Sequence, residues 1–351
     1  MKKLIILILM LSFVLSACTS YEEALELLKE KEGNLTAEET EETTEAPEDE
    51  SSAPGNEPLP EETPEETPEE TPEEKPEETP EETPEETDKK PQEEAPEPTP
   101  ETATEVETPE VQVVPSDAIN SLPNDNNGWG FVKKKGTFPE FTKGQRDMMA
   151  KYGCIYAGNQ SEKVLYLTFD EGYENGYTGQ ILDTLKEKGV PAAFFITGPY
   201  LEKNGDLISR MINEGHIVGN HTVNHPNMPS KGTKEAMQEE ILNLDRRFFE
   251  LYGHHMSYFR PPEGAYSERS LVATNELGYK TVLWSFAYKD WETDNQKGAD
   301  YAFESVVPYL HNGCVILLHA VSKDNTEALG RIIDAARAEG FVFKSLDEYT
   351  F

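Results

Sequence analysis

A proline–glutamate repeat excludes a folded core from much of the N-terminal part of the chain. Seven tetrads of the PEET type, one of them PEEK, run from Pro60 to Thr87 within a low-complexity stretch at 35–108. A proline at every fourth position is incompatible with a helix, and the paired glutamates repel one another in a compact state. We therefore predict a disordered acidic linker over 18–127 and a folded domain over 128–351.

Charge is distributed unevenly along the chain. The formal net charge is −37, but residues 128–351 contain 24 Lys and Arg against 30 Asp and Glu and so contribute only −6. Phosphate recognition depends on Lys and Arg, so this balance argues against nucleic acid as a partner. We expect a weakly acidic domain behind a linker that is either a spacer or only a solvated tail.

The first twenty residues, MKKLIILILMLSFVLSACTS, are typical of an export signal. Lys2 and Lys3 precede an apolar run that is too short for a full membrane span. The ending LSAC resembles the bacterial lipobox, in which the cysteine, here Cys18, becomes the lipidated first residue. We predict a signal peptide over 1–17 and a lipoprotein on the outer face of the cell membrane. A signal peptide cleaved nearby, or an uncleaved anchor, is the alternative.

The two remaining cysteines, Cys154 and Cys314, lie far apart in the sequence. In an exported domain such a pair is compatible with a disulfide. Cys314, however, belongs to the apolar stretch GCVILLHA, which favours a small buried hydrophobic side chain over a bridge.

From Trp129 onwards, apolar runs rich in β-formers alternate with helical patterns. Strands are predicted at VLYLTF, PAAFFIT, HIVGN, SYFR, KTVLWSF, CVILL and FVFKS, with helices between them, as at 177–188, 201–213 and 301–310. Regular alternation of this kind predicts an α/β fold with a parallel sheet, open or closed into a barrel. In barrels of this type the chemistry lies at the C-terminal ends of the strands, where the polar motifs of this chain also fall.

Two of these motifs together indicate a metal site. TFDEG places Asp170 and Glu171 directly after a buried strand, and HTVNH supplies His221 and His225. On a helical turn, a spacing of four puts both imidazoles on one face, within reach of one divalent cation. Two solvated surface histidines are the alternative. A cation held by the histidines needs further ligands, and the adjacent carboxylates are the natural supply.

Three further motifs supply groups for acid–base chemistry. FRPPEG places Arg260 after a strand, where a guanidinium clamps a carboxylate in a fixed orientation. YKDW supplies Asp290 and Trp291, and ILLHA ends on His319. A histidine at a strand end with an aspartate available is typical of an oriented general acid or base. Taken alone, a histidine such as His319 is more often structural, but five motifs at five strand ends favour a catalytic site.

The order of the five motifs resembles that of the polysaccharide deacetylases, the NodB-homology domains of carbohydrate esterase family 4. The motifs are TFDEG, HTVNH, RPPEG, DW and LLH, and the resemblance extends from residue 129 to the C-terminus. The resemblance implies a deformed (β/α) barrel of about seven strands and a monomeric enzyme that removes N-acetyl groups from a glycan. GYENGYT, DWETDNQKG and LLHAVSKDNTEAL are particularly similar to the branch that deacetylates N-acetylmuramic acid in peptidoglycan, a step toward muramic δ-lactam in the spore cortex.

The resemblance implies four catalytic roles. Asp170 matches the general base of the family and is held by Arg260. His319 matches the general acid and is oriented by Asp290.

Metal binding is implied for the two histidines of HTVNH. His221 and His225 match the histidines that bind one divalent ion, for which imidazole and carboxylate ligands admit Zn, Mn, Co or Fe. The family usually has a second Asp after the base as third ligand, and this chain has Glu171 there. We expect Glu171 to bind directly or through water. A site of two histidines completed by water is the alternative.

Three more positions match residues that contact the substrate. The backbone N–H of Glu263 is expected to donate to the oxyanion, and Trp291 and Leu317 to form walls of the pocket for the acetyl methyl group.

Two other functions remain open at this stage. One is the same chemistry on N-acetylglucosamine or another acetylated glycan. The other is a non-catalytic, wall-binding lipoprotein in which Glu171 marks a decayed metal site. The second is disfavoured because a decayed site has no reason to keep an acid, a base and the groups that orient them.

Overall fold

The computed structural model describes residues 114–350, in which strands and helices alternate as predicted. The strands are Asn127–Gly128 (β1), Val164–Glu171 (β2), Ala192–Ile196 (β3), Ile217–Asn220 (β4), Tyr258–Phe259 (β5), Ala265–Tyr266 (β6), Lys280–Thr281 (β7), Cys314–His319 (β8) and Val342–Phe343 (β9). The α-helices are Lys143–Lys151 (α1), Thr178–Lys188 (α2), Gly198–Lys203 (α3), Gly205–Asn213 (α4), Lys234–Tyr252 (α5), Glu268–Glu276 (α6), Ala299–Val306 (α7) and Lys323–Ala338 (α8).

Seven strands form one parallel sheet, in the order β7-β5-β4-β3-β2-β8, with β9 paired to the beginning of β2. Every residue of β2 and β3 is buried, as expected for parallel strands covered on both faces. The predicted α/β fold with about seven strands is confirmed. Because the strands are parallel, their carboxyl ends meet at one edge of the sheet, and that edge carries the predicted motifs.

Two predicted helices differ in detail. The helix expected over 201–213 is divided at Asn204, whose backbone (φ −125°, ψ 37°) is not helical, into α3 and α4. The helix expected over 301–310 is regular only to Val306 and continues as a 3-10 turn that contains Pro308. Proline has no N–H to donate and clashes with the preceding helical turn, which explains the early end.

The folded domain begins before residue 128, within the segment predicted as linker. The 3-10 helix Ser116–Ser121 places Ile119 in the core, where it is fully buried, and the N–H of Arg269 donates to the carbonyl of Pro123 at 3.0 Å. One apolar side chain in a polar segment gives no periodic signal, so the sequence did not predict this packing. We call residues 114–133 the N-terminal arm.

Both cysteines of the domain, Cys154 and Cys314, are free and buried, and burial raises the pKa of each thiol to about 12. The expected packing of Cys314 is therefore confirmed.

Within residues 114–350 no helix combines the length and apolarity that a membrane span requires. The predicted signal peptide, Cys18 and the PEET repeat lie outside the described residues.

Candidate active site

The groups predicted as base and acid lie side by side at the C-terminal edge of the sheet. Asp170 near the end of β2 and His319 at the end of β8 are directly paired in register. A cleft of about 1040 Å³ opens over this edge and is lined by both side chains, together with His221 and His225. The prediction that the motifs converge at strand ends is thus confirmed geometrically.

Asp170 is clamped by Arg260, as the sequence predicted. The guanidinium Nη1 donates to Asp170 Oδ1 at 2.7 Å, and Nη2 donates to Thr168 Oγ1 at 2.8 Å. Nε donates to the carbonyl of Val282 at 3.2 Å, and the group packs 4.2 Å from the ring centroid of Phe195. Arg260 is fully buried, so these contacts fix its position and that of the carboxylate.

The electrostatic surroundings keep Asp170 ionised. Burial alone would raise the pKa of this carboxyl group, but Arg260, His221 and His319 together hold it below its ordinary value of 3.8. A carboxylate that is ionised near neutral pH is able to accept a proton. Asp170 remains 8% exposed, which leaves it open to the cleft.

His221 and His225 come together, although the helical turn expected for them does not form. The loop after β4 takes left-handed backbone angles at Thr222 (φ 71°) and His225 (φ 54°). It is held in part by the hydroxyl of Thr222, which accepts from the N–H of His225 at 2.9 Å. The imidazole centroids are 4.9 Å apart, so proximity arises from this loop and not from helical spacing.

The state of His221 suits a metal ligand. Its Nδ1–H donates to the carbonyl of Arg260 at 2.8 Å, which leaves the lone pair of Nε2 directed elsewhere. Nε2 lies 3.6 Å from Asp170 Oδ2. Burial lowers the pKa of His221 to about 4, so the ring is neutral near pH 7. A neutral imidazole fixed through its other nitrogen is the usual arrangement of a metal-binding histidine.

The structure does not bring Glu171 to the histidines. Side chains alternate between the faces of a strand, and β2 continues through Glu171, so adjacent Asp170 and Glu171 point to opposite sides. Glu171 is fully buried near Thr178, Glu174 and Tyr200 and does not line the cleft. Burial, followed by the charges of Glu174 and Asp170, raises its pKa well above the ordinary value.

Without Glu171, the donor set near the cleft consists of two imidazoles beside one clamped carboxylate. In the described part of the chain, no three His, Cys, Asp or Glu side chains are grouped as a metal site. The oriented, neutral ring of His221 and the adjacent ring of His225 are the side chains that could hold a divalent ion with its other positions open, which corresponds to the two-histidine alternative stated from the sequence.

His319 is oriented by Asp290, as predicted. Its Nδ1–H donates to Asp290 Oδ1 at 2.7 Å and its backbone N–H donates to Oδ2 at 2.8 Å. Burial opposes protonation of His319, but the charge and hydrogen bond of Asp290 outweigh it and raise the pKa. Nε2 is left for the cleft.

Asn325 is a neighbour of this pair that sequence analysis missed. Its Nδ2 donates to Asp290 Oδ2 at 2.6 Å, and its Oδ1 accepts from the hydroxyl of Tyr288. The amide thereby holds the carboxylate that holds His319. Asn325 lies within LLHAVSKDNTEAL, but its contact with Asp290 joins residues 35 positions apart, so no local pattern indicated this role.

The three residues expected to contact substrate all line the cleft. Trp291 is 50% exposed, with its ring centroid 5.5 Å from that of His319, whereas Leu317 is buried in the wall. Glu263 has a left-handed backbone (φ 60°, ψ 4°) in the turn Pro262–Gly264, and its carboxylate accepts from Asn227 Nδ2 at 3.2 Å.

The N-terminal arm supplies a further wall of the cleft. The backbone N–H of Trp129 donates to the carbonyl of Gly264 at 2.9 Å, and its indole N–H donates to the carbonyl of Trp284 at 2.8 Å. A Cβ at Gly264 would lie 2.9 Å from the Cβ of Trp129, so glycine is required here. Trp129 and Lys133 line the cleft as a result.

This fold and site define a class. Residues 157–282 match the family model described as polysaccharide deacetylase. The chain is also 42% identical over 233 residues to the peptidoglycan-N-acetylmuramic acid deacetylase PdaA of Bacillus subtilis (strain 168), covering 66% of this chain and 88% of that protein. The chain belongs to the polysaccharide deacetylase family, and it is an enzyme of that class.

Two other comparisons agree with this assignment. The solved structure of Bacillus subtilis PdaA, a family 4 carbohydrate esterase, has a TM-score of 0.63 at 42% identity, covering 65% of this chain and 98% of that one. A peptidoglycan-N-acetylglucosamine deacetylase of Bacillus cereus is 33% identical over 195 residues, covering 54% of this chain and 88% of that protein. Relatives of the chain thus include enzymes named for each of the two amino sugars.

Proposed function

We propose that the protein hydrolyses the N-acetyl group of N-acetylmuramic acid in peptidoglycan, as a step toward muramic δ-lactam. The observation that carries this proposal is the pairing, across one cleft, of Asp170 held by Arg260 with His319 held by Asp290. The similarity to PdaA directs the choice of sugar.

Asp170 acts as the general base. It is ionised, it faces the cleft, and Arg260 fixes its orientation, so it takes the proton of the attacking water. His319 lies beside it, and Asp290 raises its pKa and so favours the protonated ring, whose Nε2–H is the donor for the leaving amine. The backbone N–H of Glu263 is proposed to stabilise the oxyanion, while Trp291 and Leu317 flank the acetyl methyl group.

A divalent ion is proposed at His221 and His225. Bound there, it would polarise the amide carbonyl and lower the pKa of water. The neutral ring of His221 and its hydrogen bond to the carbonyl of Arg260 support this assignment, and Glu171 is not needed for it.

Removal of metal by a chelator is expected to abolish most of the activity, and a divalent ion should restore it. Independently of activity, titration calorimetry should find one ion per chain. His221→Gln is expected to weaken that binding by at least about 10-fold, since loss of an oriented ligand removes a direct bond. Glu171→Gln is the matched control and should retain the ion. Equal weakening in both variants would restore Glu171 as a ligand.

Replacing Asp290 by Asn is expected to shift the pH dependence of kcat/KM. Asp290 raises the pKa of His319, so its neutral replacement lowers that pKa. Because the protonated form of His319 donates the proton, activity falls as pH rises through the pKa, and the alkaline limb of the profile should move to lower pH. An alkaline limb that stays in place in Asp290→Asn would remove His319 from the role of general acid.

Mass spectrometry of defined glycans tests the function itself. The purified protein with added divalent metal is incubated with peptidoglycan strands, either peptide-bearing or peptide-stripped, and with N-acetylglucosamine oligomers. Deacetylation replaces an acetyl group by hydrogen. A mass loss of about 42 Da per deacetylated sugar is therefore expected on muramic acid. Loss confined to glucosamine would favour the second sugar, and binding without loss would favour a wall-binding module.

Export and lipidation at Cys18 are proposed from the sequence alone, and a task on peptidoglycan is consistent with them. A place at the outer face of the cell membrane and a use in sporulation belong to the same proposal. Labelling of cells with a fatty acid tests the anchor: label should enter the wild-type protein and be absent from Cys18→Ala. Equal labelling of both would refute it.

A further inference from the structure

Two lysines line the cleft, and they differ in their surroundings. Lys289 Nζ lies 2.5 Å from Glu292 Oε1 and so has a counterion. Lys133, on the N-terminal arm, has no carboxylate within ion-pair distance in the described part of the chain. The carboxylates of Asp170 and Glu263 in the same cleft already accept from Arg260 and Asn227.

The arm holds Lys133 in the lining of the cleft. The preceding residue, Val132, exchanges two backbone hydrogen bonds of 3.0 Å with Glu140. Lys133 Nζ lies 5.6 Å from the ring centroid of Phe286 and 5.3 Å from that of Tyr309. The carbonyl of Phe286 accepts from the N–H of Leu317 at 2.9 Å, which connects the residue beside the ammonium group to a wall of the same cleft.

The aromatic rings attract the ammonium group but do not neutralise it. Partial desolvation lowers the pKa of Lys133, which is the response of a cation without a counterion. An anionic group brought by the substrate would therefore gain a charge-assisted hydrogen bond here without displacing an existing partner.

We infer that Lys133 binds a carboxylate carried by the glycan substrate. The inference rests on the proposed function and deepens it. N-acetylmuramic acid carries a lactyl carboxylate that N-acetylglucosamine lacks, whereas in peptide-bearing strands that carboxylate is an amide and the stem peptide supplies other carboxylates. A lysine at this position discriminates between the two sugars by charge.

The test compares substrates that differ only in this charge. KM and kcat of the full-length protein are measured on peptide-stripped strands with the lactyl group free or converted to its methylamide, and on peptide-bearing strands. The variants are Lys133→Met and Lys135→Met, which have the same composition, and Lys135 does not line the cleft. If Lys133→Met does not fold, Lys133→Gln replaces it as the test variant.

The wild type and Lys135→Met are expected to prefer the free carboxylate by about 10-fold in KM, the scale of one hydrogen bond to a charged group. In Lys133→Met the two KM values should converge. If Lys133→Met makes only the KM values of peptide-bearing and amidated strands converge, the carboxylate that Lys133 binds belongs to the stem peptide. If the ratios of KM between the strands in Lys133→Met equal those of the wild type, the inference is overturned.

Binding separates this inference from the proposed function. Calorimetric titration of the same strands into wild type and Lys133→Met requires no turnover. If no strand is deacetylated but the free lactyl group still binds through Lys133, the proposed function fails and the carboxylate site stands. If strands are deacetylated and binding is independent of Lys133, the carboxylate site fails alone.

Discussion

Asp170→Asn is expected to lower kcat/KM by about 10²–10⁴-fold, the usual contribution of a positioned acid–base group. Asn has nearly the same shape and its amide oxygen still accepts from Arg260, but it does not take a proton near neutral pH. The fold should persist, because the hydrogen bonds of Arg260 to Thr168 and Val282 remain. Steady-state deacetylation of muramic acid strands, with circular dichroism as a check on folding, measures the effect.

The neighbouring carboxyl group provides the control. Glu171 faces away from the cleft, and burial raises its pKa well above the ordinary value, which favours the neutral acid that Gln imitates. Glu171→Gln should therefore retain activity close to that of the wild type. A loss as large as that of Asp170→Asn would mean that the two acids act together on the substrate or its metal, and the separation by strand face would be wrong.

These adjacent acids illustrate what the sequence does and does not determine. The alternation of β-type runs with helical patterns was enough to predict a parallel sheet and the strand ends where chemistry lies. The motif at Asp170 and Glu171 did not reveal that β2 continues through the second acid. One more residue of strand reverses the direction of a side chain, and no local pattern fixes a strand end to one residue.

The other differences have the same origin in tertiary contacts. His221 and His225 were expected to meet through helical spacing, and they meet through a loop with two left-handed residues. Asn325 contacts Asp290 across the fold. Residues 114–127 of the N-terminal arm were assigned to the linker, yet Ile119 packs in the core and Trp129, which follows them, lies at the cleft. Side chains joined by such distant contacts leave no periodic signal in the sequence.

Charges in the site form an ordered series from the core to the cleft. Arg260, fully buried, faces Asp170, which in turn faces His221 and the paired strand end that carries His319. The Arg260 guanidinium lowers the cost of burying the Asp170 carboxylate, so removal of either member leaves the other charge uncompensated. The same arrangement that keeps the base ionised therefore couples catalysis to stability.

Arg260→Met is expected to lower the free energy of unfolding by about 3–5 kcal/mol, as found when one partner of a buried ion pair is removed. Met is unbranched like the arginine stem and packs against Phe195, but it leaves Asp170 and Thr168 Oγ1 without their donor. Urea unfolding at neutral pH measures the change. Arg210→Met, which removes a partly exposed arginine from its pairs with Glu214 and Asp183, is the control and should cost no more than about 1 kcal/mol.

The pH dependence of unfolding isolates the pair itself. Because the folded-state pKa of Asp170 lies below its ordinary value of 3.8, the pair contributes stability above that pH and loses it as pH falls through the lowered pKa. The stabilities of wild type and Arg260→Met should thus begin to converge as pH falls below about 3.8 and become most similar below the lowered pKa, to the extent that the ion pair causes the difference. If the difference in unfolding free energy persists undiminished in acid, the loss of stability in Arg260→Met comes instead from packing against Phe195 and from the hydrogen bonds with Thr168 and Val282. The carboxylate of Asp170 would then be held ionised by its remaining neighbours, His221 and His319.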